Sequence, residues 1–266
     1  MSLQPIYMLV ALLCSVVFPV FAENENAFQV EINPSETAAQ TFKVEILSVP
    51  TEDNVSPKRV LIYHTHTYEA YEQVDDDKYQ LTEKWRTKDE SHNVVAVGAA
   101  LAACLRASGV EVVHDRTAFE PPNLDDAYSR SLSMLEQRQR NGENYDLYID
   151  LHRDALAANA AISKTVNIGG VDVARFMVLV GQGTTGGYSE LPDWEANLIV
   201  ANKITDCLNQ QQQNLARNVK IKSGRFNQHI SNSCVLIECG MNTNTLEEVL
   251  AGIPYLSEAI VKALSE

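Results

Sequence analysis

From residue 60 onward, short apolar runs of strand type alternate with longer runs of helical period, and this alternation constrains the fold most. Residues 60–63, 110–113, 145–151, 176–180, 219–221 and 234–237 are mostly apolar, β-branched or aromatic, as strands of a covered sheet are. Between them, Asn93 precedes Val94, Val97, Leu101 and Leu105 at helical spacing, and Gly109 closes that run. Residues 125–140 place Tyr128, Leu132 and Leu135 on one helical face, and 194–209 and 246–264 read as two further helices. A small hairpin is expected around Gly169-Gly170. This order predicts an α/β domain of three layers, with a mostly parallel central sheet and helices on both faces. The competing arrangement is an α+β fold built on the hairpin.

The chain divides into 1–22, 23–58 and 59–266. Residues 6–22 are mostly apolar, carry no charge and end Val20-Phe21-Ala22 before Glu23. That pattern fits a secretory signal peptide or an uncleaved membrane anchor, and both place the rest of the chain outside the cytoplasm. Leu13 before Cys14 is too large for a lipoprotein cut. Residues 23–58 read as a linker holding one edge strand at 42–47. A net charge of −14 excludes a nucleic-acid partner and a polybasic grip on lipid, so membrane contact falls to the N-terminal segment alone. Beyond Cys14, the four cysteines Cys104, Cys207, Cys234 and Cys239 form no C-x-x-C pair, which argues against a thiolate zinc site. Buried thiols are the simple reading, with a Cys104–Cys207 disulfide left open.

In parallel sheets, reactions occur beyond the carboxyl ends of the strands. His64, His66, His152 and Glu238 all fall at such ends. The spacing His66-x-x-Glu69 lets an imidazole and a carboxylate meet on one ion if the chain turns just past the strand. Alone it is also what a strand-end histidine pair in a polar loop looks like. With His152 the set becomes two imidazoles and one carboxylate, a donor set of catalytic zinc that leaves a place for water. Glu238 is then a carboxylate outside the ligand set, available as the general base. A serine or cysteine nucleophile lacks support, because there is no G-x-S-x-G elbow.

Seven blocks in order carry a resemblance. They are residues 60–71; Asn93-Val94-Val95-x-Val97-Gly98; His114-Asp115-x-Thr117; and Tyr128-Ser129-Arg130-Ser131-Leu132. The rest are Ile149-Asp150-Leu151-His152-Arg153-Asp154; Arg225-Phe226-Asn227-Gln228; and Leu236-Ile237-Glu238-x-Gly240-x-x-x-Asn244. Together they resemble stage II sporulation protein P from about Arg59 to the C-terminus. That family is similar to the zinc N-acetylmuramoyl-L-alanine amidases of bacterial walls. The resemblance implies a zinc amidase-like fold and Zn2+ on His66 and His152, with Glu238 as catalytic glutamate. It implies cleavage of the muramoyl–L-alanine amide of peptidoglycan, with endopeptidase action on stem-peptide cross-links, during engulfment. The partner it implies is stage II sporulation protein D. For the third ligand, Glu69 is preferred over Glu90, which stands where many related amidases carry a glutamate just before the first helix. His229 stands where the family often has aspartate.

Other residues carry paired readings. His64, expected to point as His66 does, either supports the ligands or substrate, or makes a structural hydrogen bond. Arg153 either binds a substrate carboxylate or pairs with Asp150 or Asp154. Arg225 and Asn227 either bind glycan or peptide, or order their own loop. Tyr68 and Trp85 either stack on sugars or pack under the long loop, and His92 and His114 are expected at the surface or at strand ends. A catalytically inactive wall-binding scaffold and a carboxypeptidase-like zinc peptidase are the rival functions.

Overall fold

The computed structural model describes residues 56–156 and 162–265. The leader, the linker and the expected strand at 42–47 lie outside them. Six strands form the central sheet: β1 (Arg59–Tyr63), β2 (Glu111–His114), β3 (Leu147–Asp154), β6 (Phe176–Gly181), β7 (Lys220–Lys222) and β8 (Cys234–Met241). β4 (Thr165–Ile168) and β5 (Val171–Ala174) form the expected hairpin as a separate antiparallel pair. The helices are α1 (Val94–Ala107), α2 (Ala127–Arg140), α3 (Trp194–Gln211), α4 (Leu246–Leu250) and α5 (Ile253–Ser265).

The sheet order is β2-β1-β3-β8-β6-β7. β2, β1, β3 and β8 run parallel, and β6 meets β8 antiparallel. β7 pairs parallel with β6, so the last two strands oppose the other four. The sheet is thus mostly parallel, as expected, and the strands bearing the candidate residues share one carboxyl edge.

Period-two alternation decides which layer each side chain joins. Leu61 and Tyr63 of β1 pack with Leu135, Tyr145, Tyr148 and Cys234 in one buried cluster beneath α2. The alternate residues Val60 and Ile62 are also fully buried, and beyond them His64 lies against Gly98 of α1. α1 and α3 both pack against α5. Each such apolar side chain, fully buried, contributes roughly 1.5–3 kcal/mol relative to exposure.

The helix boundaries follow local chemistry. Asn93 Oδ1 accepts from Val95 N at 2.9 Å and starts α1. α2 begins at Ala127, two residues later than the spacing suggested. The expected single helix over 246–264 is two. Thr245 and Glu248 make a capping box for α4, and Ala251-Gly252 separate it from α5, whose first turn holds Pro254. Cys104, Cys207, Cys234 and Cys239 form no disulfide. Among the described residues, no helix is long and apolar enough to cross a membrane.

Candidate metal centre and active site

The chain leaves β1 at Tyr63 and turns at once: Glu69 N donates to His66 O at 3.3 Å. This turn carries His66 onto the α2 side of the sheet, where its ring stands edge-on to Tyr128 at 5.4 Å. Tyr63 lies opposite Asp150, and His152 lies opposite Glu238, so alternation puts Asp150, His152 and Glu238 on one side of neighbouring strands. Past His152 the β3–β8 register shifts in a bulge. Gly240 sits there with φ +70°, and a Cβ on it would meet Val249 Cγ2 at 2.8 Å.

Four of the expected residues therefore meet. The His66 and His152 rings are 5.2 Å apart and nearly perpendicular. His152 Nδ1 lies 3.2 Å from Glu69 Oε2. On the other side of the ring, His152 Nε2 is 2.8 Å from Asp150 Oδ1, but the angle is too poor for a hydrogen bond. Asp150 itself is buried and accepts from Thr65 N at 2.8 Å and Thr65 Oγ1 at 2.7 Å. Thr65 Oγ1 is joined to Ser131 Oγ at 2.9 Å, and Asn227 Nδ2 donates to that hydroxyl at 3.0 Å. This buried network ties β1, β3, α2 and the 225–230 loop together under the histidines.

The charges follow from burial and neighbours. Burial would push the Glu69 carboxyl up, but His152 and Arg153 outweigh it and hold it down to about 2. Burial likewise works against charge on His152, yet Asp150 and Glu69 hold its proton affinity well above the ordinary imidazole value. Burial, then His152, lowers His66 to about 4. At Glu238 burial outweighs the opposing pull of His152 and pushes the carboxyl up to about 8.

Among the described residues, no group of three or more His, Cys, Asp or Glu side chains is arranged to hold a metal ion. The donor types, two imidazoles and a carboxylate, are nevertheless those of a zinc site. His66 Nδ1 and Glu238 Oε2, both buried at this edge, have no hydrogen-bond partner. Such orphans are costly unless something binds them. The 3.2 Å between His152 Nδ1 and Glu69 Oε2 is close to the ~3.3 Å separating two ligands of a tetrahedral ion at ~2.0–2.1 Å bonds. Glu90 is half-exposed and paired with Arg116. Val94 N donates to Glu69 O at 2.9 Å, so the glutamate beside the start of α1 in space is Glu69, although Glu90 is nearer in sequence.

Three sequence expectations are corrected. His64 does not point as His66 does, because β1 has ended and alternation no longer applies. Its Nδ1 donates to Leu151 O at 2.9 Å, and its Nε2 lies 2.8 Å from His114 Nε2. The Nδ1 proton makes His64 Nε2 the acceptor, so His114 Nε2 donates. Burial lowers the two rings to about 3 and about 4, and both are neutral. Gly98 leaves room for this pair, since a Cβ there would lie 2.6 Å from His64 Nε2. Arg153 pairs with neither Asp150 nor Asp154. It is buried, donating from Nε to Ala70 O at 3.0 Å and from Nη2 to Trp85 O at 3.1 Å, with Nη1 3.7 Å from Glu69 Oε1. Asp154 instead pairs with Arg217 at 2.7 Å. Asn227 is buried and donates to Tyr128 O at 2.8 Å, which orders its own loop.

Arg225 remains partly exposed, lying over the Tyr188 ring at 4.1 Å. Trp85 Nε1 donates to Glu72 Oε2 at 2.6 Å within the long loop. Tyr68 helps line a cavity of about 320 Å³ with Arg86, Lys88, Glu120 and Leu124. That cavity adjoins the centre, because buried Glu120 has Oε1 4.0 Å from His66 Nδ1 and is held by Arg86 and by Tyr68 N.

Sequence reasoning missed Asp150, Glu120 and Tyr128 as members of this site. Asp150 was legible, since it stands two residues before His152 and shares its face. Tyr128 was expected in a core face. Yet the first turn of a helix that follows a parallel strand lies at the same carboxyl edge, and that position was the available signal. Glu120 sits in a loop with no periodic signal.

Several solved structures are similar to this chain. The CwlD amidase from Clostridioides difficile, solved in complex with the GerS lipoprotein, matches with TM-score 0.51 and 16% identity, over 78% of this chain and 98% of that one. The N-acetylmuramoyl-L-alanine amidase AmiC2 of Nostoc punctiforme matches with TM-score 0.47 and 16% identity, over 79% and 98%. A search of curated proteins finds no match. The family model for stage II sporulation protein P matches residues 20–261, reaching into the stretch read as a linker. The chain belongs to the stage II sporulation protein P (SpoIIP) family.

Proposed function

We propose that the chain is a zinc-dependent peptidoglycan hydrolase that cleaves the N-acetylmuramoyl-L-alanine amide. The observation that carries this reading is the meeting of His66, Glu69 and His152 at one sheet edge with Glu238, a buried carboxylate with an unpartnered oxygen. Family membership and the amidase-like fold support it. His66, Glu69 and His152 would hold the ion, and Glu238 would stay off it. Zinc bound there would polarise the amide carbonyl and bring the pKa of a water toward neutrality.

The chain's own residues do the rest. Glu238 takes a proton from the attacking water as its oxygen joins the carbonyl carbon. It returns that proton to the leaving nitrogen as the C–N bond breaks. The high proton affinity that burial gives Glu238 suits a group that must hold the proton between the two transfers. Arg153 fixes the Glu69 carboxylate, and Asp150 fixes the far side of the His152 ring. The cavity beside Glu120 is placed to take part of the peptide.

The setting belongs to the same proposal. The apolar 6–22 segment exports the chain, as a cleaved signal or an anchor, and 23–58 links it to the 59–266 catalytic part. Action in engulfment, endopeptidase activity on cross-links and stage II sporulation protein D as partner are what the family resemblance implies.

The test is digestion of purified cell wall by the zinc-loaded chain, with products identified by mass. New free L-alanine amino ends identify an amidase, and loss of cross-linked dimers identifies the endopeptidase. Terminal residues released one at a time would favour a carboxypeptidase-like enzyme. Glu238→Gln should keep its zinc and lose about 10²–10⁴-fold in rate. Wall binding with no cleavage by the zinc-loaded wild type would make the protein a scaffold and end the enzymatic reading.

A further inference from the structure

We propose that Tyr128 is a catalytic residue whose hydroxyl donates a hydrogen bond to the oxygen of the scissile amide as that oxygen gains negative charge. The inference rests on the amidase reading and adds to it a donor supplied by the chain itself.

Position comes first. Tyr128 occupies the first turn of α2, at the carboxyl edge of the sheet. Its ring stands edge-on to His66 at 5.4 Å and 89°, and Phe226 packs edge-on to it at 5.8 Å. Its backbone carbonyl is held by Asn227 Nδ2 at 2.8 Å. The ring is therefore fixed beside the centre by contacts that leave its hydroxyl uninvolved.

The hydroxyl comes second. The ring lies against His66, and the Asn227 that holds the Tyr128 backbone also joins the Ser131–Thr65–Asp150 network, which sets the phenol on the reacting side of the sheet. Tyr128 is partly buried, and among the described residues its hydroxyl makes no hydrogen bond, whereas the Tyr63 oxygen on the same side of the sheet is fully sealed. The unpartnered hydroxyls of Tyr63 and Thr67 are sealed within the fold, and the remaining donors near the histidines are engaged. Thr65 and Ser131 are bound within the Asp150 network, and the Arg153 guanidinium is turned to Ala70 O and Trp85 O.

The chemistry gains from such a donor beside the metal. Water adds to the carbonyl carbon, the C–N bond breaks, and the transferred proton passes by Glu238 to nitrogen. Through both steps the carbonyl oxygen carries extra negative charge. Glu238, acting as the base, cannot stabilise it. A pre-positioned O–H can, and Tyr128 keeps its own proton throughout.

The experiment is Tyr128→Phe in the full chain, assayed on purified wall and on a soluble muramyl peptide, with zinc content and thermal midpoint measured alongside. The expected result is a kcat lower by on the order of 10²-fold, by analogy with loss of one oxyanion donor. KM should change by less than about threefold, with zinc content and midpoint as in the wild type. Tyr128→Ala should lose the same kcat and also lower the midpoint, because the His66 and Phe226 contacts go too. A Phe variant with wild-type kcat would overturn the inference and leave the amidase reading standing. A loss confined to KM, or accompanied by loss of zinc, would equally overturn it by making the residue a positioning one. An inactive zinc-loaded wild type would instead sink the amidase reading, and this inference with it.

Discussion

Asp150→Asn tests whether the centre is built from beneath. The Asp150 carboxylate is 1% exposed and accepts from Thr65 N at 2.8 Å and Thr65 Oγ1 at 2.7 Å, while His152 Nε2 stands 2.8 Å away. Asparagine offers one acceptor oxygen and turns an NH2 group toward the other donor. One buried donor is then unsatisfied, at ~1–3 kcal/mol, and the remaining bond loses its charge assistance, so the expected loss is about 2–4 kcal/mol. Against a typical total of ~5–15 kcal/mol this is a large fraction. It should appear as a urea midpoint lower by ~1–2 M at unchanged slope in the metal-free chain. Freed from its carboxylate, the His152 ring should also hold zinc about 10–100-fold more weakly in competition with a chromophoric chelator. An Asn variant whose midpoint and zinc affinity both match the wild type would refute both roles of Asp150, the support of Thr65 and the support of His152. A changed midpoint with unchanged zinc affinity would confine Asp150 to holding β1 against β3.

Glu69→Ala should weaken zinc binding sharply, whereas Glu90→Ala should leave it within about twofold, since Glu90 pairs only with Arg116 among the described residues; calorimetric zinc titration of both variants decides, and the reverse order would move the third ligand. Gly240→Ala forces a side chain onto φ +70° and a Cβ to 2.8 Å from Val249, so unfolding should cost about 2–5 kcal/mol less. Denaturant midpoints within error of each other would show that the bulge relaxes freely. Burial pushes Asp115 up, but the hydrogen bonds from Arg138 and Thr117 prevail and hold it below the usual carboxylate range. Its stabilisation is therefore full above the unfolded value of about 3.9 and is lost as pH falls through the folded value. The stability gap between wild type and Asp115→Asn should shrink as pH is lowered from about 5 to about 3, and a gap constant over that window would deny the pair with Arg138.

The layers of this fold were legible because the strands and helices announce themselves through period, and period is local. Residues 60–63 and 234–237 needed no partner to be read as buried strands. Parallel topology then converts a one-dimensional position, the strand end, into a three-dimensional one, and His66, His152 and Glu238 became neighbours on paper for that reason. Other features depend on how the chain returns on itself. The antiparallel entry of β6 beside β8 is a choice among pairings that Phe176–Gly181 alone would satisfy equally well. Glu69 and Glu90 looked alike as acidic residues of one loop. Only the fold of that loop, with Glu69 O accepting from Val94 N, sets the first beside His152 and the second beside Arg116. Arg153 has a guanidinium suited to a substrate carboxylate, yet burial against Ala70 and Trp85 assigns it to the chain's own carbonyls. Tyr128 and Glu120 reach His66 from a helix start and a loop far along the sequence. Residue type and local spacing select which chemistry is available, but the direction in which a side chain is buried selects which groups use it, and that direction is a property of packing.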